Sequence, residues 1–269
     1  MPTPARRSLP FPASSLIPLL AVLLACAAVL ILTAASLGGS PTGRPRPAPY
    51  RDASPTDLPA EQPPSPITVV VIDAGHGGED GGASSASGVV EKDVNLAVSF
   101  ALRDLLEAAG IPVVMTRTED KLLYDRNVDF QGRKKVLDLA ARRLMAEKPA
   151  KKAAENGAQS LFISIHMNAF PQAQYCGMQV WYGTHSPASH AIADAIQKAS
   201  APLMPDNHRK TKAAGSNIYL LDRIGTPAVL VECGCLSNPA EADRLAQGDY
   251  QKALAATIFA AVAPYLTAP

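Results

Sequence analysis

The chain has 269 residues, with 25 Lys and Arg against 24 Asp and Glu and a formal net charge of +1. That balance gives no electrostatic footprint for a nucleic-acid partner. Four cysteines without paired C-x-x-C motifs argue against both a disulfide scaffold and a structural zinc cluster.

The first element in chain order is an uncharged apolar run, Leu16 to Leu37. It is long enough to span a bilayer, which takes roughly 20 residues. Arg6 and Arg7 precede it and Arg44 and Arg46 follow, so an N-terminus-in orientation is preferred on a weak charge bias. Cleavage after Ala35 and a lipoprotein box at Cys26 are the alternatives. The continuation AAVLILTAA favours an uncleaved anchor over residues 1–37, with the rest of the chain outside the cytoplasmic membrane. Residues 38–66 turn to Pro, Ser, Ala and Arg, a composition that cannot bury enough surface to fold and reads as a linker. Residues 67–269 remain for one globular domain, and about 200 residues suffice for a well-buried core.

Within it, ITVVVID (67–73) predicts a buried strand running into the loop AGHGGEDGG (74–82). A phosphate cradle is disfavoured there. Asp80 occupies the third glycine position of G-x-G-x-x-G, and with Glu79 it would repel a pyrophosphate. The glycines instead allow a sharp turn that presents His76. EKDVNLAVSFALRDLLEAAG predicts a helix with Val94, Val98, Ala101 and Leu105 on one stripe and Gly110 as its stop. PVVMTR predicts a second strand, and QGRKKVLDLAARRLMAEKPAKK a segment helical in its first part. SLFISIH and GMQVWYG read as strands, SHAIADAIQKASAPLM as a helix, PAVLVECG as a further buried strand, and PAEADRLAQ and DYQKALAATIFAAVAPYL as closing helices. Alternation of helices with apolar strands predicts an α/β fold with a mostly parallel central sheet flanked by helices.

Ligands of such sheets gather at the carboxyl ends of strands. Three strands end in His76, His166 and Glu232, and Glu91 opens the helix after the glycine loop. Two imidazoles and a carboxylate make a common zinc shell with an open position, and a second carboxylate can serve as base. No H-E-x-x-H motif is present.

DAGHGGEDGGA, EKDVNLA, SIHMNA and VECGCLSNPAEADRL resemble, in order and spacing, the zinc-dependent N-acetylmuramoyl-L-alanine amidases of bacterial cell walls. The resemblance covers residues 67–266. It implies Zn²⁺ held by His76, Glu91 and His166, with Glu232 as the catalytic base. The implied reaction is hydrolysis of the amide between the lactyl group of muramic acid and L-alanine of the stem peptide. Cys235 stands where the family often has an aromatic residue, and KPAKKAAENG resembles an insertion. An anchor joined directly to the catalytic domain, with GRKK and DLAARRL, resembles the spore-cortex branch.

Asp73, Asp80 and Asn168 are expected to shape the loops around the metal, and Arg117 and Arg142 to pair with internal carboxylates. The basic run from Arg133 to Lys152 is expected to be a solvated helix face, and His185, His190 and His208 to lie on the surface. A zinc peptidase cutting within the stem peptide and a non-catalytic wall-binding regulator are the competing functions. An enzyme completed by an activating protein partner is a further alternative.

Overall fold

The computed structural model describes residues 65–125, 127 and 132–267. The expected anchor, residues 1–37, and nearly all of the expected linker lie outside the described residues. Among the described residues, no helix is long and apolar enough to cross a membrane.

Six strands form one sheet: β1 (Ile67–Ala74), β2 (Val113–Met115), β3 (Gln159–Asn168), β4 (Gln179–Tyr182), β5 (Lys212–Ala213) and β6 (Ala228–Cys235). Their spatial order is β2-β1-β3-β6-β4-β5. All pairs are parallel except β4 with β6. Among the described residues, six α-helices flank the sheet: α1 (Glu91–Ala108), α2 (Lys134–Glu155), α3 (Pro187–Ala199), α4 (Tyr219–Arg223), α5 (Pro239–Leu245) and α6 (Gly248–Val262).

The two-residue period of the strands divides the core into two layers. Val70, Ile72, Leu161, Ile163, Ile165, Val229 and Val231 pack with α1, α3 and α6 on one face. Val71, Phe162 and Ala228 point the other way, toward Ala146 of α2 and Leu220 and Leu221 of α4. Burial on both faces explains why β1, β3 and β6 read as continuous apolar runs rather than alternating ones. On α1 the fully buried stripe is Val94, Val98, Leu102 and Leu106, with Ala101 and Leu105 flanking it. Each such side chain contributes about 1.5–3 kcal/mol through burial.

Two expectations need correction. The basic segment is helical throughout, Lys134–Glu155, with Pro149 inside it. Proline removes one N–H bond, but the Ala, Lys and Glu around it are strong helix formers, and Ala146 and Ala153 are buried on either side. KPAKKAAENG forms the last turns of α2 and its exit through Gly157, which has φ +69°. Helix α3 stops at Ala199 rather than Met204, short of Pro202. The short β5 and α4 were not foreseen.

The sheet face that carries Val71, Phe162 and Ala228 also positions the chemistry. Two or four residues further along the same strands stand Asp73, Ser164, His166 and Glu232. In register, Asp73 pairs with Ser164 and His166 pairs with Glu232.

Candidate active site

The loop after β1 is a left-handed excursion. His76 has φ +61°, and Gly77, Gly78 and Gly82 also have positive φ. Such a φ costs a non-glycine residue on the order of 1–2 kcal/mol, so the surroundings must hold it. Two arginines do so. Arg142 donates to the carbonyls of Ala74 (2.8 Å) and His76 (2.6 Å), and Arg117 to those of Ala74 (2.8 Å), Gly75 (3.0 Å) and Lys92 (2.7 Å). Asn95 adds a bond to the Gly75 carbonyl, and Lys92 one to that of Gly78.

Arg142 is itself fixed by carboxylates. Its Nη1 lies 2.8 Å from Asp73 Oδ1 and its Nε 2.7 Å from Asp138 Oδ2. Asp73 also accepts from Thr116 and Ser164, each at 2.7 Å. Burial alone would raise the Asp73 carboxyl, but Arg142 and these hydroxyls hold it below its ordinary value. The same two aspartates drive the Arg142 guanidinium up against the effect of burial. So Asp73 and Arg142 serve the loop's geometry, and Arg142, in the middle of the basic run, is 1% exposed rather than solvated. Arg117 pairs chiefly with backbone carbonyls, not with a carboxylate.

His76, Glu91 and His166 come together at this edge. Glu91 Oε1 is 3.2 Å from His76 Nε2 and 3.0 Å from His166 Nδ1. The three residues offer ligand atoms all within 4.8 Å of one another. Ligands about 2.0–2.1 Å from a tetrahedral zinc would stand about 3.3 Å apart, so this donor set fits such an ion. Glu91 is oriented by the backbone N–H groups of Ala83 (2.7 Å) and Met167 (3.2 Å). Burial would raise its carboxyl, yet hydrogen bonds from both imidazoles depress it strongly, leaving it ionised. His76 is lowered by burial, but Glu91 and Asp80 more than reverse this and raise it. Asp80 Oδ1 lies 2.9 Å from His76 Nδ1, the ring nitrogen opposite the one that faces Glu91. That is where an orienting carboxylate behind a metal-binding imidazole belongs.

The glycines are needed where the loop meets these rings. A Cβ on Gly75 would lie 2.3 Å from His166 Cε1 and Nε2, and one on Gly82 would lie 2.5 Å from Glu91 Oε2. Both positions must be bare for the ligands to converge.

Glu232 stands beside the cluster, opposite His166 in β3 and Gln179 in β4. Its Oε2 is buried with no hydrogen-bond partner among the described residues. Burial pushes its carboxyl up to about 7; Glu91 pushes the same way, while His166, His76 and Arg209 hold it back. A carboxylate poised near neutrality with a free acceptor oxygen suits proton transfer. Asn168 lines the same cleft, and its Oδ1 accepts from the Ala169 N–H at 2.9 Å. His185, His190 and His208 are exposed.

The cleft over these groups measures about 500 Å³. Sequence reasoning did not single out Lys135, Trp181, Arg209 or Lys212, which line it, or Asp138 beneath it. No periodic pattern marks the loop residues. Asp138 could have been found as the i,i+4 partner of Arg142 on one helix.

A mostly parallel sheet that brings a metal-competent His–Glu–His set beside an unpartnered carboxylate defines a hydrolytic centre. The family described as N-acetylmuramoyl-L-alanine amidase matches residues 70–264, and the chain belongs to it. It is thus an amidase of peptidoglycan. The germination-specific N-acetylmuramoyl-L-alanine amidase of Bacillus subtilis (strain 168) is 35% identical over 199 residues, covering 74% of this chain and 80% of that protein. The CwlD amidase of Clostridioides difficile, solved in complex with the GerS lipoprotein, superposes with a TM-score of 0.65 at 34% identity, over 74% of this chain and 98% of that one. The catalytic domain of CwlV from Bacillus (Paenibacillus) polymyxa var. colistinus gives 0.58 at 30% identity, over 74% and 98%.

Proposed function

We propose that this amidase is zinc-dependent and cleaves the bond between the lactyl carbonyl of N-acetylmuramic acid and the nitrogen of L-alanine. His76, Glu91 and His166 would hold the ion, which when bound supplies Lewis-acid polarisation of the scissile carbonyl. Glu232 takes a proton from the attacking water as the C–O bond forms, then delivers it to the L-alanine nitrogen as the C–N bond breaks. Asp80 orients His76, and the two arginines hold the loop that carries it. The observation that carries this reading is the unpartnered Glu232 Oε2, on the residue in register with His166. The test is digestion of isolated peptidoglycan by the purified, zinc-loaded protein, followed by mass spectrometry. Free lactyl groups and peptides beginning with L-alanine are expected. Cuts within the stem peptide would favour the peptidase reading instead.

A role in spore-cortex remodelling is proposed as well, supported by the likeness to a germination-specific amidase and to CwlD. Because CwlD was solved with a lipoprotein, an activating protein partner is part of this proposal. The apolar run from Leu16 to Leu37 supports single-pass anchoring, with the catalytic domain outside the cytoplasmic membrane. Protease protection of intact cells and protoplasts tests the orientation: the domain should be cut in protoplasts without lysis.

A further inference from the structure

Helix α2 presents to solvent a face that a merely solvated helix does not need. Leu144 is 58% exposed, and Met145 and Pro149 stand half-buried beside it. Among them stand Lys148, Lys151 and Lys152, all exposed and without an ion pair among the described residues. Glu147 is taken by Arg143, which leaves Glu155 as the carboxylate bordering the three lysines. All of these except Leu144 and the Arg143–Glu147 pair line, with Val114 of the edge strand β2, an open groove of about 720 Å³. The helix macrodipole favours a cation in the last turn, which accounts for Lys152. It does not account for Lys148 and Lys151, or for the exposed leucine. Lysines interleaved with apolar side chains on one helix face match an anionic lipid surface. Headgroup phosphates attract the ammonium groups, and the apolar side chains reach the acyl boundary.

The course of the chain points to the same occupant. Helix α2 runs away from the cleft, which its first turns line through Lys135, Asp138 and Arg142. Lys151 stands about 24 Å further along than Lys135, at 1.5 Å per residue. The helix leaves through Ala158, whose N–H returns to the Ala153 carbonyl, and enters β3 at Gln159. Gln159 holds the start of the described chain. It donates through its backbone N–H to the Pro66 carbonyl (2.8 Å) and through Nε2 to the Ser65 carbonyl (3.0 Å). The connection back to the apolar run Leu16–Leu37 therefore leaves the domain beside the lysine-bearing end of α2. A surface tethered nearby acts at about millimolar effective concentration, so a weak attraction suffices to seat it.

Resting on the anchoring proposed above, we propose that the C-terminal half of α2 docks on the anionic phospholipid surface of the membrane. The catalytic cleft, at the other end of α2, then opens away from the lipid. Docking gives the domain one orientation on its tether.

The test adds the full chain to phosphatidylcholine vesicles, with or without about one-third phosphatidylglycerol, at about 0.1 M salt. Flotation reads attachment, and a neutral acylating reagent followed by peptide mass spectrometry reads the accessibility of each lysine. Lys198 on α3 and Lys252 on α6, exposed on helices of the opposite sheet face, are the internal references. Lys148, Lys151 and Lys152 should label about five- to tenfold more slowly on the anionic vesicles, the worth of one or two lysines near such a surface. The references should not change, and about 1 M salt should erase the difference. Leu144→Ser with Lys148→Glu leaves Lys151 and Lys152 as reporters; it should lose their protection while cleaving a soluble muramoyl peptide at the wild-type rate. Equal labelling on both lipids by an attached protein would overturn the docking and leave the anchoring intact. Protection kept by the double variant would overturn it as well. Protection seen only after adding isolated anionic wall polymer would assign this face to the wall and overturn it too. Failure of the full chain to float with either vesicle would bring down the anchoring reading, and this proposal with it.

Discussion

Arg142→Met removes the guanidinium that links Asp73, Asp138 and the carbonyls of Ala74 and His76, while keeping an unbranched apolar side chain in its place. Asp73 and Asp138 are 1% and 4% exposed, so both carboxylates lose their countercharge where water cannot replace it. Breaking a buried pair in this way costs about 3–5 kcal/mol. Against a typical domain stability of about 5–15 kcal/mol that is a large share, and it should lower Tm by roughly 6–20 °C. The loss extends to the metal site, because His76 at φ +61° depends on Arg142 for its carbonyl contact. Metal affinity should fall about 10- to 100-fold, as when an orienting group behind a ligand is removed. Urea melts of metal-free protein and a competitive chelator titration read the two effects separately. Adding Asp73→Asn to Arg142→Met should recover part of the stability, since much of the loss is an uncompensated charge. An Arg142→Met protein within about 1 kcal/mol of wild type and with unchanged metal affinity would refute the role assigned to this network.

Gly75→Ala should abolish metal binding while sparing most secondary structure, since its Cβ would meet the His166 ring at 2.3 Å; metal analysis beside far-ultraviolet circular dichroism checks this. In metal-free protein, burial pushes the Glu232 carboxyl up to about 7 from its ordinary carboxylate range. Its protonated form is the one the fold favours, so the associated stability is fully present below about pH 4.5 and is lost as pH rises through 7. The loss is at most ~3 kcal/mol, and Glu232→Gln should lack it; parallel melts of the two proteins from pH 4.5 to 8 measure the difference. Metal loading should run the other way with pH. His76, raised above its ordinary 6.5, must lose its proton to bind, so zinc affinity should fall steeply as pH drops through and below neutrality.

The four residues at the centre were legible because each ends or opens an element whose apolar pattern is strong. The chemistry lies toward the carboxyl ends of the strands or just past them, and the period of two puts His166 and Glu232 on one face. What the sequence left hidden came from long-range pairing. Nothing local to Asp73 says that it will meet Arg142, 69 positions away, and nothing in the loop before β5 marks Arg209 as a cleft residue. Pro149 misled for a related reason. Local propensity argues against helix there, while Ala146 and Ala153, buried on either side of it, keep α2 going to Glu155. Antiparallel β4 likewise depends on which edge of β6 was open, a property of the assembled sheet.

Glu232→Gln tests the centre of the account most directly. The amide keeps the side chain's shape and can still hydrogen-bond, but it cannot take a proton from water. Zinc content and Tm of the purified variant should stay close to wild type, while hydrolysis of the muramoyl–L-alanine amide falls by about 10² to 10⁴. Loss of zinc together with activity would make Glu232 a ligand, and turnover retained at the wild-type rate would contradict its role as the base.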